Sequence, residues 1–191
     1  MSKDLMYKDD IQRLVADAYH ALDDPGGPGT RFYSPDQLGA LPDGARRWAL
    51  GVGNPVANVA LSDGDVVADM GCGSGIDSLL AARDVAPSGR VVGIDMLQPM
   101  VERAGTFAAE AGLDHVEFLR AEMEAVPLSD DSVDVVISNG SVNLSARKSR
   151  VLAEAHRVLR PGGRLSVSDL TIREEDPVSY THLTLPTTER V

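Results

Sequence analysis

A chain of 191 residues, 43% hydrophobic and 25% charged, is long enough to bury one core, and that composition excludes an intrinsically disordered segment. The formal net charge of -11 excludes a nucleic-acid backbone or an anionic membrane as the main partner, because both reward a basic face. The single cysteine, Cys72, excludes an internal disulfide; without a signal-type apolar run or about 18 consecutive apolar residues, a cytoplasmic protein is expected.

From Tyr7 to Leu22 the apolar positions Ile11, Leu14, Val15, Ala18, Tyr19 and Leu22 recur at helical spacing and predict one apolar stripe. The stretch D-D-P-G-G-P-G-T, Asp23 to Thr30, ends that helix in a loop. Ser34 ahead of Pro35 predicts the start of a short helix. Another is expected over Asp43 to Leu50, before the loop G-V-G-N-P at Gly51 to Pro55. Strands then alternate with helices. Strands are predicted at Asp65 to Met70, Arg90 to Asp95, Val116 to Ala121, Val133 to Asn139 and Arg164 to Leu170. Helices are predicted at Ile76 to Arg83, Pro99 to Ala111 and Ser145 to Leu159, the last capped by Ser145 and stopped by Pro161-Gly162-Gly163. Helical crossovers between short apolar strands imply an α/β fold, a parallel sheet covered on both faces.

D-M-G-C-G-S-G, Asp69 to Gly75, ends the first strand, where glycines let the backbone turn sharply and approach a ligand at the carboxyl edge of the sheet. A dinucleotide fingerprint fails here: counted from Gly71 its last glycine falls on Ile76, and counted from Gly73 it falls on Ser78. Asp69, just before the turn, suits an ammonium group better than a pyrophosphate. Asp95 ends the second strand, where a carboxylate can accept from both hydroxyls of a ribose; the alternative is a cap for the next helix. Met96 beside it can lie against an adenine face. In A-E-M-E-A-V-P-L, Ala121 to Leu128, Glu122 can accept from the adenine amino group while the backbone N–H of Met123 faces a ring nitrogen. In S-N-G-S-V-N-L, Ser138 to Leu144, the carbonyl of Asn139 can hold an ammonium. Each feature alone reads equally as a solvated acid or a turn. At the carboxyl ends of successive strands, the four make one cradle.

D-x-G-x-G-x-G, the acid at Asp95, the E-x-E-x-x-P-L segment and L-R-P-G-G (Leu159 to Gly163) resemble the class I S-adenosylmethionine-dependent methyltransferases. More narrowly, G-V-G-N-P, S-N-G-S-V-N-L-S and Y-S-P-D-Q-L-G-A-L-P resemble the arsenite methyltransferases, over roughly Tyr33 to Leu170. The resemblance implies a Rossmann-like fold with a mostly parallel sheet, of which five of the usual seven strands can be counted. It also implies S-adenosyl-L-methionine as cofactor and a small molecule as methyl acceptor. The residues it assigns to the cofactor are Asp69, Gly71, Cys72, Gly73, Gly75, Asp95, Met96, Glu122, Met123 and Asn139, with Asn54 and Pro55 of the Asn-Pro loop beside them. The departures concern sulfur. Val52 and Gly140 stand at two positions where the family carries arsenic-binding cysteines, and its N-terminal thiols are absent too. Cys72 occupies a variable slot in the cofactor loop and reads as a small buried residue. Soft As(III) needs several convergent thiolates, so an organic acceptor is expected. The alternatives are an arsenite enzyme whose cysteines lie partly in a missing C-terminal part, and a fragment that binds cofactor without turnover. His20 and Tyr33 are candidates to face the acceptor, while His115 and His156 read as structural or solvated. No catalytic residue and no metal site is assigned.

Three regions are expected: an N-terminal helical cap over 1–60, a cofactor-binding core over 61–176 and a tail over 177–191. The run Val178 to Thr187 reads like one translated frame of a common transposon-based sequencing adapter, which implies a non-native tail on a C-terminally truncated chain. A genuine flexible C-terminus is the alternative.

Overall fold

The computed structural model describes residues 3–171, with side chains from residue 9 onward; the tail over 177–191 lies outside the described residues. The first third of the chain is helical: α1 (Lys3–His20), α2 (Pro35–Gly39) and α3 (Asp43–Arg47). Ser34 caps α2 as its sequence predicts, in a reciprocal box: its hydroxyl accepts from Gln37 N (3.2 Å) and Gln37 Oε1 accepts from Ser34 N (3.0 Å).

Five strands follow: β1 (Val66–Met70), β2 (Arg90–Asp95), β3 (Val116–Arg120), β4 (Val133–Asn139) and β5 (Leu159–Ser168). They form one all-parallel sheet in the order β3-β2-β1-β4-β5. The crossovers are α4 (Ile76–Val85), α5 (Gln98–Glu110) and α6 (Lys148–Val158). Side-chain alternation splits the strands between two cores. Val67, Val91 and Ile137 pack with Leu79, Leu80, Val85 and Phe107 of α4 and α5, together with Tyr33 and Ala45. Ala68, Val92, Ile94 and Val136 pack on the other face with Val151, Ala155 and Val158 of α6. Each fully buried Val or Ile contributes about 1.5–3 kcal/mol, so strands β1 and β4, buried at most positions, anchor the sheet.

Three expectations require correction. Helix α6 starts at Lys148, not at Ser145. The Ser145 hydroxyl accepts from Arg147 N (2.9 Å) but donates to Glu124 Oε1 (2.6 Å), so it braces the preceding turn and does not cap the helix. Second, α6 runs directly into β5, and Pro161-Gly162-Gly163 lies inside that strand's span. The ladder jumps there, with Val133 paired to Leu159 and Val135 to Arg164, so the turn residues form an irregularity within the pairing. Third, the apolar stripe of α1 is only partly used. Ile11, Val15 and Tyr19, four apart, face the protein, whereas Leu14 (57% exposed) and Leu22 (37%) lie outside that line. Among the described residues, no helix is long and apolar enough to cross a membrane.

Candidate functional site at the carboxyl edge of the sheet

A partly open cleft of about 1060 Å3, its mouth included, spans the carboxyl ends of β1, β2, β3 and β4. Strand order reverses direction at β1 and β4, the switch point at which the flanking loops diverge and leave a crevice. Helix α1 covers the cleft through Ile11, Gln12, Val15 and Tyr19, and Trp48, Leu50 and Gly51 close one flank. Five acids line it (Asp69, Asp77, Asp95, Glu122 and Glu124), and no Lys, Arg or His does so among the described residues. The cleft therefore selects for positive charge.

The floor is the turn after β1. Gly71 N and Cys72 N both donate to the Ile94 carbonyl (2.8 and 2.9 Å), which ties the turn to β2. Gly71 has φ +77°, and a Cβ there would lie 2.3 Å from Ser141 Oγ and 3.2 Å from Met123 Sδ. A Cβ on Gly73 would meet nothing within 4 Å, so the backbone there borders open space in which a ligand can lie. Gly75 does not line the cleft. It precedes α4 at φ +86°, and a Cβ would strike Ala104 (2.9 Å) and Phe118 (3.0 Å), so it permits close packing of the turn against α5 and β3.

The acids differ in state. Asp95 Oδ2 accepts from Gly73 N (2.9 Å) and Oδ1 from Leu97 N (2.9 Å), so each oxygen keeps capacity for one more donor. Asp95 does not cap α5, whose N-cap is Leu97 with no side-chain cap bond; its carboxylate instead braces the turn before that helix. Burial raises its pKa, and the backbone bonds oppose that. Asp69 is 2% exposed, and its one side-chain partner is the Ser78 hydroxyl (2.6 Å). Burial, then the neighbouring charge of Asp77, push it up to about 8. Asp77 is itself raised by burial, against hydrogen bonds from Asn139 Nδ2 and Tyr33 Oη (both 2.9 Å).

Glu122 and Met123 line the cleft on the segment after β3. That segment is moored to α6: Val126 N donates to Glu154 Oε2 (2.9 Å), and Arg157 donates to the carbonyls of Val126 (2.9 Å) and Leu128 (2.8 Å). Met96, Cys72 and Asn139 line it too, but Asn54 and Pro55 do not. Asn54 Nδ2 is committed to the Phe32 carbonyl (3.2 Å) and Gln37 Oε1 (3.0 Å), and the Pro55 carbonyl to Ser166 Oγ (2.9 Å). These bonds hold the Asn-Pro loop to its neighbours, away from the cleft, and Gly51 is the loop residue that reaches it.

Sequence reasoning missed Asp77, Ser141 and the α1 contacts. An acid in the first turn of a helix, as Asp77 is, reads as ordinary compensation of the helix dipole and gives no further signal. Of the two proposed acceptor-facing residues, Tyr33 is buried (6% exposed) with its hydroxyl committed to Asp77, and His20 lines a separate side pocket with Trp48 and Arg103. His115 bonds the Ala82 carbonyl through Nε2 (2.8 Å), and His156 is exposed. Cys72 is buried, and burial holds its thiol well above the usual range. No cluster able to hold a metal occurs among the described residues.

An open parallel sheet with a glycine turn at its switch point and acids at the ends of β1 and β2 defines a Rossmann-like domain with an acid-lined cleft. The chain belongs to the methyltransferase domain family, whose family model matches residues 61–187. It is 44% identical over 138 residues to an arsenite methyltransferase of Halobacterium salinarum, covering 72% of this chain and 35% of that one. It is 34% identical over 110 residues to a demethylmenaquinone methyltransferase of Symbiobacterium thermophilum (57% and 44% covered). Among solved structures, an arsenic (III) S-adenosylmethionine methyltransferase from Chlamydomonas reinhardtii superposes with TM-score 0.65 at 38% identity, covering 74% of this chain and 48% of that one. A SAM-dependent methyltransferase from Aquifex aeolicus superposes with TM-score 0.58 at 26% identity (78% and 75% covered). The chain thus spans only about a third of the length of the arsenite methyltransferases it matches.

Proposed function

We propose that the cleft binds S-adenosyl-L-methionine and that the chain is the cofactor-binding core of a methyltransferase for a small-molecule acceptor. Asp69 and the Asn139 carbonyl hold the ammonium, and Asp95 accepts from both ribose hydroxyls. Met96 lies against the adenine, whose edge meets Glu122 and the Met123 N–H; Gly71, Cys72 and Gly73 give close backbone approach. Residues 1–60 serve as a helical cap over the core. Bound there, the cofactor supplies an electrophilic methyl group for in-line displacement. The protein's part is alignment, which is worth up to about 7–11 kcal/mol when donor and acceptor are held in line. The observation that carries this reading is the convergence of four strand ends on one cleft that, among the described residues, is lined by five acids and no Lys, Arg or His.

The names of the relatives favour arsenite as acceptor, and this second reading has its own test. The chain has one thiol in 191 residues, Cys72, and it is buried in the glycine turn. A Cβ on Gly140 would lie 3.5 Å from Val52 Cγ2, so these two positions adjoin, and neither carries sulfur. We therefore favour an acceptor that is held without thiolates. Titration calorimetry with S-adenosylhomocysteine, followed by methyl-transfer assays over arsenite, quinols, phenols and amines, tests both readings. Cofactor binding with transfer to an organic acceptor is expected. No cofactor binding overturns the first reading, and methylation of arsenite by this chain overturns the preference.

A further inference from the structure

We propose that the side chain of Asn139 is a positioning residue that latches the Gly51–Gly53 loop onto the carboxyl end of β4, with Asp77 and Tyr33 fixing its orientation. Its Oδ1 accepts from Val52 N (2.9 Å) and Gly53 N (3.1 Å), while the two hydrogens of Nδ2 are shared among three oxygens, the Gly53 carbonyl (2.8 Å), Asp77 Oδ2 (2.9 Å) and, farthest, Tyr33 Oη (3.2 Å). Two partners are backbone N–H groups that can only donate, and two are oxygens that can only accept. A flipped amide would oppose all four, so the network permits one orientation. Tyr33 Oη donates to Asp77 Oδ1 (2.9 Å) and completes the ring of bonds. The loop lies so close that a Cβ on Gly51 would come within 2.3 Å of Asn139 Nδ2, and one on Gly53 within 2.6 Å of Ser168 Cβ.

This arrangement gives one residue two duties. On the cofactor reading, from which the inference takes its functional meaning, the Asn139 carbonyl faces the cofactor while its side chain sets Val52 against Gly140. The latch thereby fixes Gly51, the loop residue that reaches the cleft, relative to the carboxyl end of β4. Its position in sequence concealed it, since the partners lie 62 to 106 residues away.

The test is amide hydrogen exchange on the full chain, together with S-adenosylhomocysteine affinity. In Asn139→Ala, exchange at Val52 and Gly53 is expected to accelerate about tenfold or more, as expected when two amides lose a shared acceptor worth about 1.4 kcal/mol or more. The amides of Val67 and Val92 in β1 and β2 should keep their protection. Tyr33→Phe, which keeps the core volume, should accelerate the same two amides by a smaller factor. Unchanged exchange at Val52 and Gly53, or a loss of protection shared equally by β1 and β2, overturns the latch. Failure of the wild-type chain to bind S-adenosylhomocysteine would instead overturn the cofactor reading and leave the latch result standing.

Discussion

Asp95→Asn tests the proposed ribose contact. In the wild-type chain each Asp95 oxygen accepts one backbone N–H, from Gly73 and from Leu97, and retains capacity for one ribose hydroxyl. Asparagine keeps one such oxygen and replaces the other with an NH2 group that must face a backbone donor. One charge-assisted bond to the ligand disappears, at about 1.5–3 kcal/mol, and the opposed N–H groups add a fraction of a desolvation penalty. The expected loss is about 2–4 kcal/mol, or roughly 30- to 900-fold in the dissociation constant. Calorimetry with two ligands makes the assignment local. S-Adenosylhomocysteine and 5′-methylthioadenosine share the ribose but only the first carries an ammonium, so Asp95→Asn should weaken both equally. Asp69→Asn should weaken only the first. A loss below about threefold for Asp95→Asn, or a penalty confined to the ammonium-bearing ligand, would refute the ribose assignment.

Gly71→Ala must place a Cβ 2.3 Å from Ser141 Oγ at a φ of +77°. Strain and overpacking together should cost about 2–5 kcal/mol, lower Tm by several degrees in calorimetry and abolish cofactor binding; an unchanged Tm would contradict the packing described. Glu154→Ala leaves the buried Val126 N without its acceptor while Arg157 keeps Asp130, at a cost of about 1–3 kcal/mol, and a denaturant midpoint unchanged by the substitution would count against this anchor. Between the ordinary carboxylate range and about 8, the folded chain holds a proton on Asp69 that the unfolded chain has released, so stability falls as pH rises through that window. Thermal melts should show the decline, and Asp69→Asn should reduce it; equal slopes for the two proteins would remove Asp69 as its source. An ammonium beside Asp69 lowers its pKa, so ligand binding near pH 7 should release protons, read as a buffer-dependent binding enthalpy that Asp69→Asn lacks.

The ends of β2 and β4 are legible in the sequence because R-V-V-G-I-D and V-D-V-V-I-S-N are apolar runs that stop at a polar residue, and both match the structure residue for residue. The glycine turn, Asp95 and the segment after β3 are legible for a related reason: each follows a strand directly, so the end of the strand fixes its location. What depends on distant partners was not legible. Asp77 gains its meaning from Tyr33 and Asn139, which are 44 and 62 residues away. Ser145 has the chemistry of a cap, but Glu124, brought near by the fold, takes its hydroxyl first. For α1, periodicity gave the stripe but not which part of it meets the cleft.

A carboxyl group as buried as Asp69, partnered by the hydroxyl and backbone N–H of Ser78 and by no positive charge, reduces stability when it is ionised, and burial favours a neutral side chain there. Its presence is explained if the ligand carries the compensating charge. Asp77, Asp95, Glu122 and Glu124 extend the same field along the cleft without a basic residue among the lining side chains, which would repel a pyrophosphate and attract an ammonium or a sulfonium. Methyl transfer converts a sulfonium into a neutral thioether, so the acids that favour binding of the methyl donor hold the demethylated product less tightly. On the proposed function, the acids that make the empty fold less stable at neutral pH would also bias the cleft toward exchanging spent cofactor for fresh.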